Sequence, residues 1–226
     1  MAVISLKYRG ILLDHDDTAV DSTAFIHYPA HVEVMRLLRP GQKPINLEGW
    51  FLKNFDPGIM EYLTHELRFD EVEIEKEYEV WRDFTTSRTP HFYPGFIDAL
   101  KTYRKRGGIV AVVSHSEKAL IERDYLSQNG PTSFVPDVIF GWDYDKNKRK
   151  PSLFPVHEIM KTYDLAVDEM LVVDDLKPGV VMAHSANISV AAAGWSHRIA
   201  EIQQYMRDNC IAYMENIAEF KALILS

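Results

Sequence analysis

The chain has 226 residues, 46% of them hydrophobic and 26% charged, with a formal net charge of −8 and one cysteine, Cys210. A chain of this length buries roughly 70–75% of the surface it exposes when unfolded, and a lone cysteine excludes an internal disulfide and a cysteine-rich metal centre. The acidic balance disfavours a broad nucleic-acid or membrane surface, but leaves a small anionic ligand open, because a few local cations and a metal ion outweigh a global field.

The opening stretch, MAVISLKYRG, lacks the long apolar segment of a secretory signal. No run approaches the roughly 18 apolar residues of a membrane span, so a soluble, cytoplasmic protein is expected. The first element is GILLD (10–14), an apolar run that stops at an acid, with Asp16, Asp17 and Asp21 following closely. Like charges packed this tightly repel one another, so stability alone would not select them.

From about 20 to 93 no comparable Val/Ile run occurs. Helical patterns appear instead in PAHVEVMRLLR, GIMEYLTHELR and EVEIEKEYEVWRDFTT, a block too long for a loop. A second, smaller helical domain over 20–93 is therefore expected, leaving 1–19 and 94–226 as the core. HFYPGF (91–96), with its Pro-Gly turn, marks the return. Beyond it, GIVAVVS (108–114), DVIFG (137–141), MLVVDD (170–175) and ISVAAAG (188–194) read as short strands buried on both faces, the pattern of a parallel sheet. Helices are expected in FIDALKTYRKRG, in SEKALIERDYLSQNG with Ser116 as N-cap and Gly130 as stop, in PSLFPVHEIMKTYDL, in IAEIQQYMRDN and in MENIAEFKALIL. This alternation predicts an α/β fold, a Rossmann-like three-layer α/β/α core around a parallel sheet.

Asp14, Ser114 and the pair Asp174/Asp175 then each fall at the C-terminal end of a strand, the edge where open α/β sheets bind ligands. Asp14, Asp174 and Asp175 crowding round a hard divalent cation such as Mg²⁺ would account for the repulsive acids. Asp16, in the turn after the strand, is placed to direct its carboxylate at a substrate and its backbone carbonyl at the metal.

With these residues in hand the chain resembles the haloacid dehalogenase-like superfamily. DHDDTAVDS is similar to the D-x-D-x-T-x-x-D-S opening, VVSHS to an apolar strand ending in Ser or Thr, KRKPSLF to a Lys before Pro and a helix, and LVVDDLKPG to the acidic fourth motif. A helical cap between the first and second motifs is typical of one large branch. The resemblance implies a magnesium-dependent phosphatase acting on a small phosphorylated metabolite. In it Asp14 is the nucleophile, Asp16 the acid/base, Ser114 and Lys150 phosphate ligands, His115 a backbone N–H donor, and Asp14, Asp16, Asp174 and Asp175 the metal site. A phosphomutase on the same scaffold, or a non-catalytic phospholigand-binding protein, are the alternatives. A dehalogenase is disfavoured by Asp16 and the Asp174/Asp175 pair.

Departures are visible. Gly179 stands where a second acid of the fourth motif is common, His15 where an apolar or aromatic residue is usual, and Ala19 where Leu is usual. Asp17 and Asp21 read as local turn or cap acids. Thr18 either braces Asp14 or caps the turn. Lys146, Lys148 and Arg149 read as a solvated loop, Trp50 and Lys53 as candidate substrate contacts in the helical block, and Cys210 as a small buried residue.

Overall fold

In the computed structural model, which describes residues 6–127 and 133–226, six strands form one parallel sheet: β1 (Gly10–Leu13), β2 (Ile109–Val113), β3 (Val138–Phe140), β4 (Met170–Asp174), β5 (Ser189–Ala193) and β6 (Ala212–Met214). Their spatial order is β3-β2-β1-β4-β5-β6, with Leu13 opposite Val112 on one side and Val173 on the other. Ile11, Leu13, Val110, Val112, Leu171 and Val173 are fully buried. That is why the central strands are continuous apolar runs: helices cover both faces, and nearly every residue of these runs is buried. The architecture is the α/β, Rossmann-like core expected from the strand–helix alternation.

The chain divides into two compact units, Met1–Val20 with Phe92–Ser226, and Asp21–His91. The sheet unit holds all six strands. The backbone N–H of Tyr93 donates to the carbonyl of Ala19 at 3.1 Å, so the points where the chain leaves and rejoins this unit are neighbours. The other unit is helical, built on Tyr28–Leu38, Leu47–Phe55 and Glu71–Ser87. Local chemistry sets its helix starts. Asn46 accepts from the Gly49 N–H at 2.8 Å, and Asp70 and Glu73 form a reciprocal capping box. Its own core gathers Val34, Met35, Trp50, Tyr62, Leu63 and Val80.

Several expected boundaries are corrected. The helix expected from Ser116 is Lys118–Leu126, preceded by Glu117, and Ser116 does not cap it; the expected stop at Gly130 lies outside the described residues. The last helix begins at Ile217, capped by Asn216, because Ala212–Met214 is taken up by the sixth strand. Cys210 is half-buried rather than buried, because it terminates the Ala200–Asn209 helix. Helices at Leu47–Phe55 and Lys177–Ser185 were not anticipated. The second opens with Lys-Pro-Gly, which reads as a turn unless Pro is placed in the first turn of a helix, where its missing N–H costs nothing.

Candidate active site

Parallel pairing aligns the ends of β1, β2 and β4, so three distant segments deliver polar residues to one edge. The Asp14 N–H donates to the Val173 carbonyl at 2.9 Å, extending the ladder by one residue and fixing the Asp14 backbone to β4. Asp174 is the last residue of β4 and Asp175 follows it. Asp14, Asp174 and Asp175 are all buried, and each offers an oxygen within 4.8 Å of the others. They are the group of potential metal ligands found among the described residues.

One cation lies among them. The Lys150 ammonium donates to Asp14 Oδ1 at 2.6 Å and to Asp174 Oδ2 at 2.8 Å, and its side chain is 5% exposed. Burial would lower the pKa of this amine, but the charges of Asp14 and Asp174 outweigh it and hold it above its ordinary value. The carboxylates respond the other way. Burial, ahead of the charge of Asp14, pushes Asp174 up to about 6 despite Lys150. Burial together with Asp14, Asp174 and Asp17 raises Asp175 well above the usual carboxylate range. Three acids crowd one ammonium in a site of low dielectric, and the upward shifts of Asp174 and Asp175 show that the lysine does not offset them all.

The oxygens differ in what they have left to give. Asp174 uses both, Oδ2 on Lys150 and Oδ1 on the Leu176 N–H at 2.9 Å. Asp175 Oδ1 accepts from the Thr18 hydroxyl at 3.3 Å, whereas its buried Oδ2 has no hydrogen-bond partner among the described residues. His197 Nε2 stands 4.0 Å from that oxygen, and burial with the Arg198 charge lowers the imidazole to about 4, so it is neutral and supplies no compensating charge. An orphaned carboxylate oxygen beside two other buried acids is the kind of all-oxygen donor set that a hard divalent cation takes. The residues fit such an ion.

Gly179 is explained by the same carboxylates. A Cβ on residue 179 would lie 2.1 Å from Asp174 Oδ2. The absence of an acid there is the condition for Asp174 to occupy the space over the first turn of the Lys177–Ser185 helix.

The remaining candidates are brought near in different ways. Ser114 is buried at the end of β2, its hydroxyl accepting from the Ser116 N–H at 3.1 Å. The His115 ring N–H donates to the Lys150 carbonyl at 2.9 Å, so the ring steadies the backbone of Lys150. The Asp16 carboxylate is tied to Ser116, whose hydroxyl donates to Oδ2 at 2.5 Å. Asp17 adopts a left-handed conformation, φ 57°, in the tight turn closed by Asp17 N–H to Val20 O at 2.7 Å. Thr18 braces Asp175 and not Asp14, because the turn swings its hydroxyl toward β4. Lys146 and Lys148 lie on the surface, and Arg149 stacks on Trp142 at 3.6 Å. In the helical unit, Trp50 is buried in the core stacked on His31, and Lys53 pairs with Glu66 at 2.6 Å.

Two participants were not legible as such. In the sequence Ser116 reads as a helix cap, with no sign that its hydroxyl reaches back to Asp16. His15, between Asp14 and Asp16, donates into a buried pair with Asp124, 109 residues away. The unusual His at that position was the one visible signal.

Comparison with known proteins identifies the family. Residues 11–193 match the model of the family described as haloacid dehalogenase-like hydrolase. A phosphoglycolate phosphatase of Photobacterium profundum is 22% identical over 200 residues, covering 85% of this chain and 86% of that protein. A haloacid dehalogenase-like family hydrolase from Streptococcus pneumoniae superposes with a TM-score of 0.73 at 17% identity, over 96% of this chain and 98% of that one. CbbY from Rhodobacter sphaeroides, solved in complex with phosphate, gives 0.68 at 17% identity, over 94% and 96%. These two structural likenesses concern the fold, whereas the family match runs from β1 through β5 and so spans all four segments that build the site. The chain is a member of the haloacid dehalogenase-like hydrolase family.

Proposed function

We propose that this hydrolase is a magnesium-dependent phosphatase that cleaves a small phosphorylated metabolite through an aspartyl-phosphate intermediate. The observation that carries the reading is the buried cluster of Asp14, Asp174 and Asp175 with Lys150 as its one ammonium and an unpartnered oxygen on Asp175. The name of the Photobacterium relative lends weight to a phosphate monoester as substrate.

In the first step an Asp14 oxygen forms a bond to phosphorus as the bond from phosphorus to the leaving oxygen breaks, and the Asp16 carboxyl gives its proton to that oxygen. In the second, Asp16 takes a proton from water while the water oxygen displaces Asp14 from phosphorus. Asp14, Asp174 and Asp175, with the Asp16 backbone carbonyl, would hold Mg²⁺. When bound, the ion neutralises the carboxylates and the phosphoryl charge that faces them. Ser114, the His115 N–H and Lys150 hold the phosphoryl oxygens, the positioned donors that supply most of the barrier reduction in phosphoryl transfer. The 21–91 unit is read as the cap that selects the substrate. Among the described residues no helix is long and apolar enough to cross a membrane, which is compatible with a small cytoplasmic substrate.

The test is a screen of phosphorylated metabolites, phosphoglycolate and hexose phosphates included, in Mg²⁺. Release of inorganic phosphate is expected, falling by at least about 10³-fold in Asp14→Asn and stopping on addition of EDTA until Mg²⁺ is restored. Full turnover by Asp14→Asn, or activity indifferent to chelation, would overturn the assignment. An isomeric sugar phosphate in place of free phosphate would identify a phosphomutase.

A further inference from the structure

His15 is 1% exposed, and its Nε2 lies 3.1 Å from Asp124 Oδ2, also buried. The other Asp124 oxygen accepts from Arg123 through Nε at 3.0 Å and Nη2 at 2.7 Å. The imidazole packs against Phe92 and Tyr125, with ring centroids 6.2 and 5.7 Å away. An apolar side chain would fill this space without bringing a buried carboxylate with it, and burying a carboxylate costs several kcal/mol before its partners offset it. Packing alone does not account for the pair.

The backbone shows what the pair holds. The His15 carbonyl accepts from both Ala19 N–H at 2.9 Å and Val20 N–H at 3.1 Å, so His15 is the closing point of the turn that carries Asp16, Asp17 and Thr18. Asp14, one residue before, is fixed independently by its bond to Val173. Asp16, one residue after, is held by Ser116, immediately ahead of the Lys118–Leu126 helix on which Asp124 sits. The turn is thus clipped twice to one stretch of chain, by Ser116 two residues ahead of the helix and by Asp124 within it.

We propose that His15, through Asp124 and Arg123, is a positioning residue that sets the placement of the Asp16 carboxyl while leaving the nucleophile Asp14 where the sheet puts it. This rests on the phosphatase reading above, in which the Asp16 proton passes to the leaving oxygen as its bond to phosphorus breaks. Loosening the turn then impairs proton delivery, not attack. A misplacement on the order of 1 Å in such a group costs about 10²-fold, and only where the leaving group needs the proton.

The experiment compares an alkyl phosphate, whose alkoxide must be protonated, with 4-nitrophenyl phosphate, whose phenolate departs unaided. His15→Phe is expected to lower kcat on the alkyl ester about 10- to 100-fold and on the aryl ester less than about 3-fold. Asp124→Leu is expected to reproduce that split, the double variant to be no worse than either single one, and Asp124→Asn, which still accepts from the imidazole, to restore most of the ratio. Should His15→Phe fail to fold, His15→Asn, too short to reach Asp124, reads the same split. Equal losses on both esters, or none on either, would overturn the positioning role. A wild-type protein that hydrolyses neither ester, nor any other phosphate monoester, would instead overturn the phosphatase reading.

Discussion

The most prominent charges of the two units sit in opposite settings. In the helical unit acids find cations close by on the surface: Glu33 with Arg36 at 2.7 Å, Lys53 with Glu66 at 2.6 Å, Lys76 with Glu79 at 2.8 Å, and Glu73 with both the Asp70 cap and Arg39. Exposed pairs of this kind are worth roughly 0–1 kcal/mol each. They solvate a helix face and ask little of the fold. In the sheet unit three carboxylates are buried together with one lysine, at a desolvation cost of several kcal/mol per ion if left unbalanced. Economy of stability describes the first arrangement, and only chemistry at the site describes the second.

The contrast is broken most severely at Lys150. Lys150→Ala leaves three buried acids without their ammonium, and we expect a loss of about 3–5 kcal/mol in unfolding free energy, measured by denaturant titration. Added Mg²⁺ should recover part of it, since an ion bound by the native cluster stabilises by mass action. The same variant should lose hydrolysis, which Mg²⁺ does not restore.

Gly179→Ala is next. Its Cβ would meet the Asp174 carboxylate at 2.1 Å, and the displacement should cost up to about 3 kcal/mol and weaken Mg²⁺ binding measured by calorimetry. An unchanged midpoint with unchanged Mg²⁺ affinity would show that Asp174 does not need that space.

The smallest effect sharpens the other side of the comparison. His31 in the helical unit is buried against Trp50, ring centroids 4.3 Å apart, and burial lowers it to about 4 from an ordinary 6.5. Its Nε2 and Trp50 Nε1 have no hydrogen-bond partner among the described residues. Between pH 6.5 and 4 the unfolded chain binds the proton that the folded chain refuses, so the His31 contribution is complete above about pH 6.5 and is lost as pH falls toward 4. His31→Phe, which keeps the stacking, should therefore gain on the wild type by about 2 kcal/mol at pH 5 relative to pH 7. A difference between the two proteins that is flat over this range would place the imidazole in contact with solvent.

How much of this was legible follows from which forces are local. The strands of the parallel sheet were readable because burial on both faces leaves no alternative to an apolar run, and Asp14, Ser114, Asp174 and Asp175 could be proposed together because each ends such a run, whereas Lys150 came only from the resemblance of KRKPSLF to a family motif. Ala212–Met214 escaped because three residues with two half-exposed side chains carry no pattern. The Lys177–Ser185 helix escaped because Pro178 and Gly179 mask its start. Side-chain direction is where sequence reasoning stopped. Whether Thr18 faces Asp14 or Asp175, or Ser116 the helix or Asp16, depends on a turn held by hydrogen bonds from Asp17, Ala19 and Val20. His15 and Asp124 meet across 109 residues with no spacing rule to announce them.

The hydrogen bond between Tyr93 and Ala19 has a wider consequence. Because the chain rejoins the sheet unit beside the point where it left, whatever lies between imposes no stretch on the sheet, only a closure entropy that rises with the logarithm of its length. The segment between those residues is thus free to be shortened, enlarged or exchanged for another module at little thermodynamic expense to the catalytic scaffold. Were that segment the substrate-selecting cap proposed above, one framework could be fitted to many substrates by exchanging the insert alone.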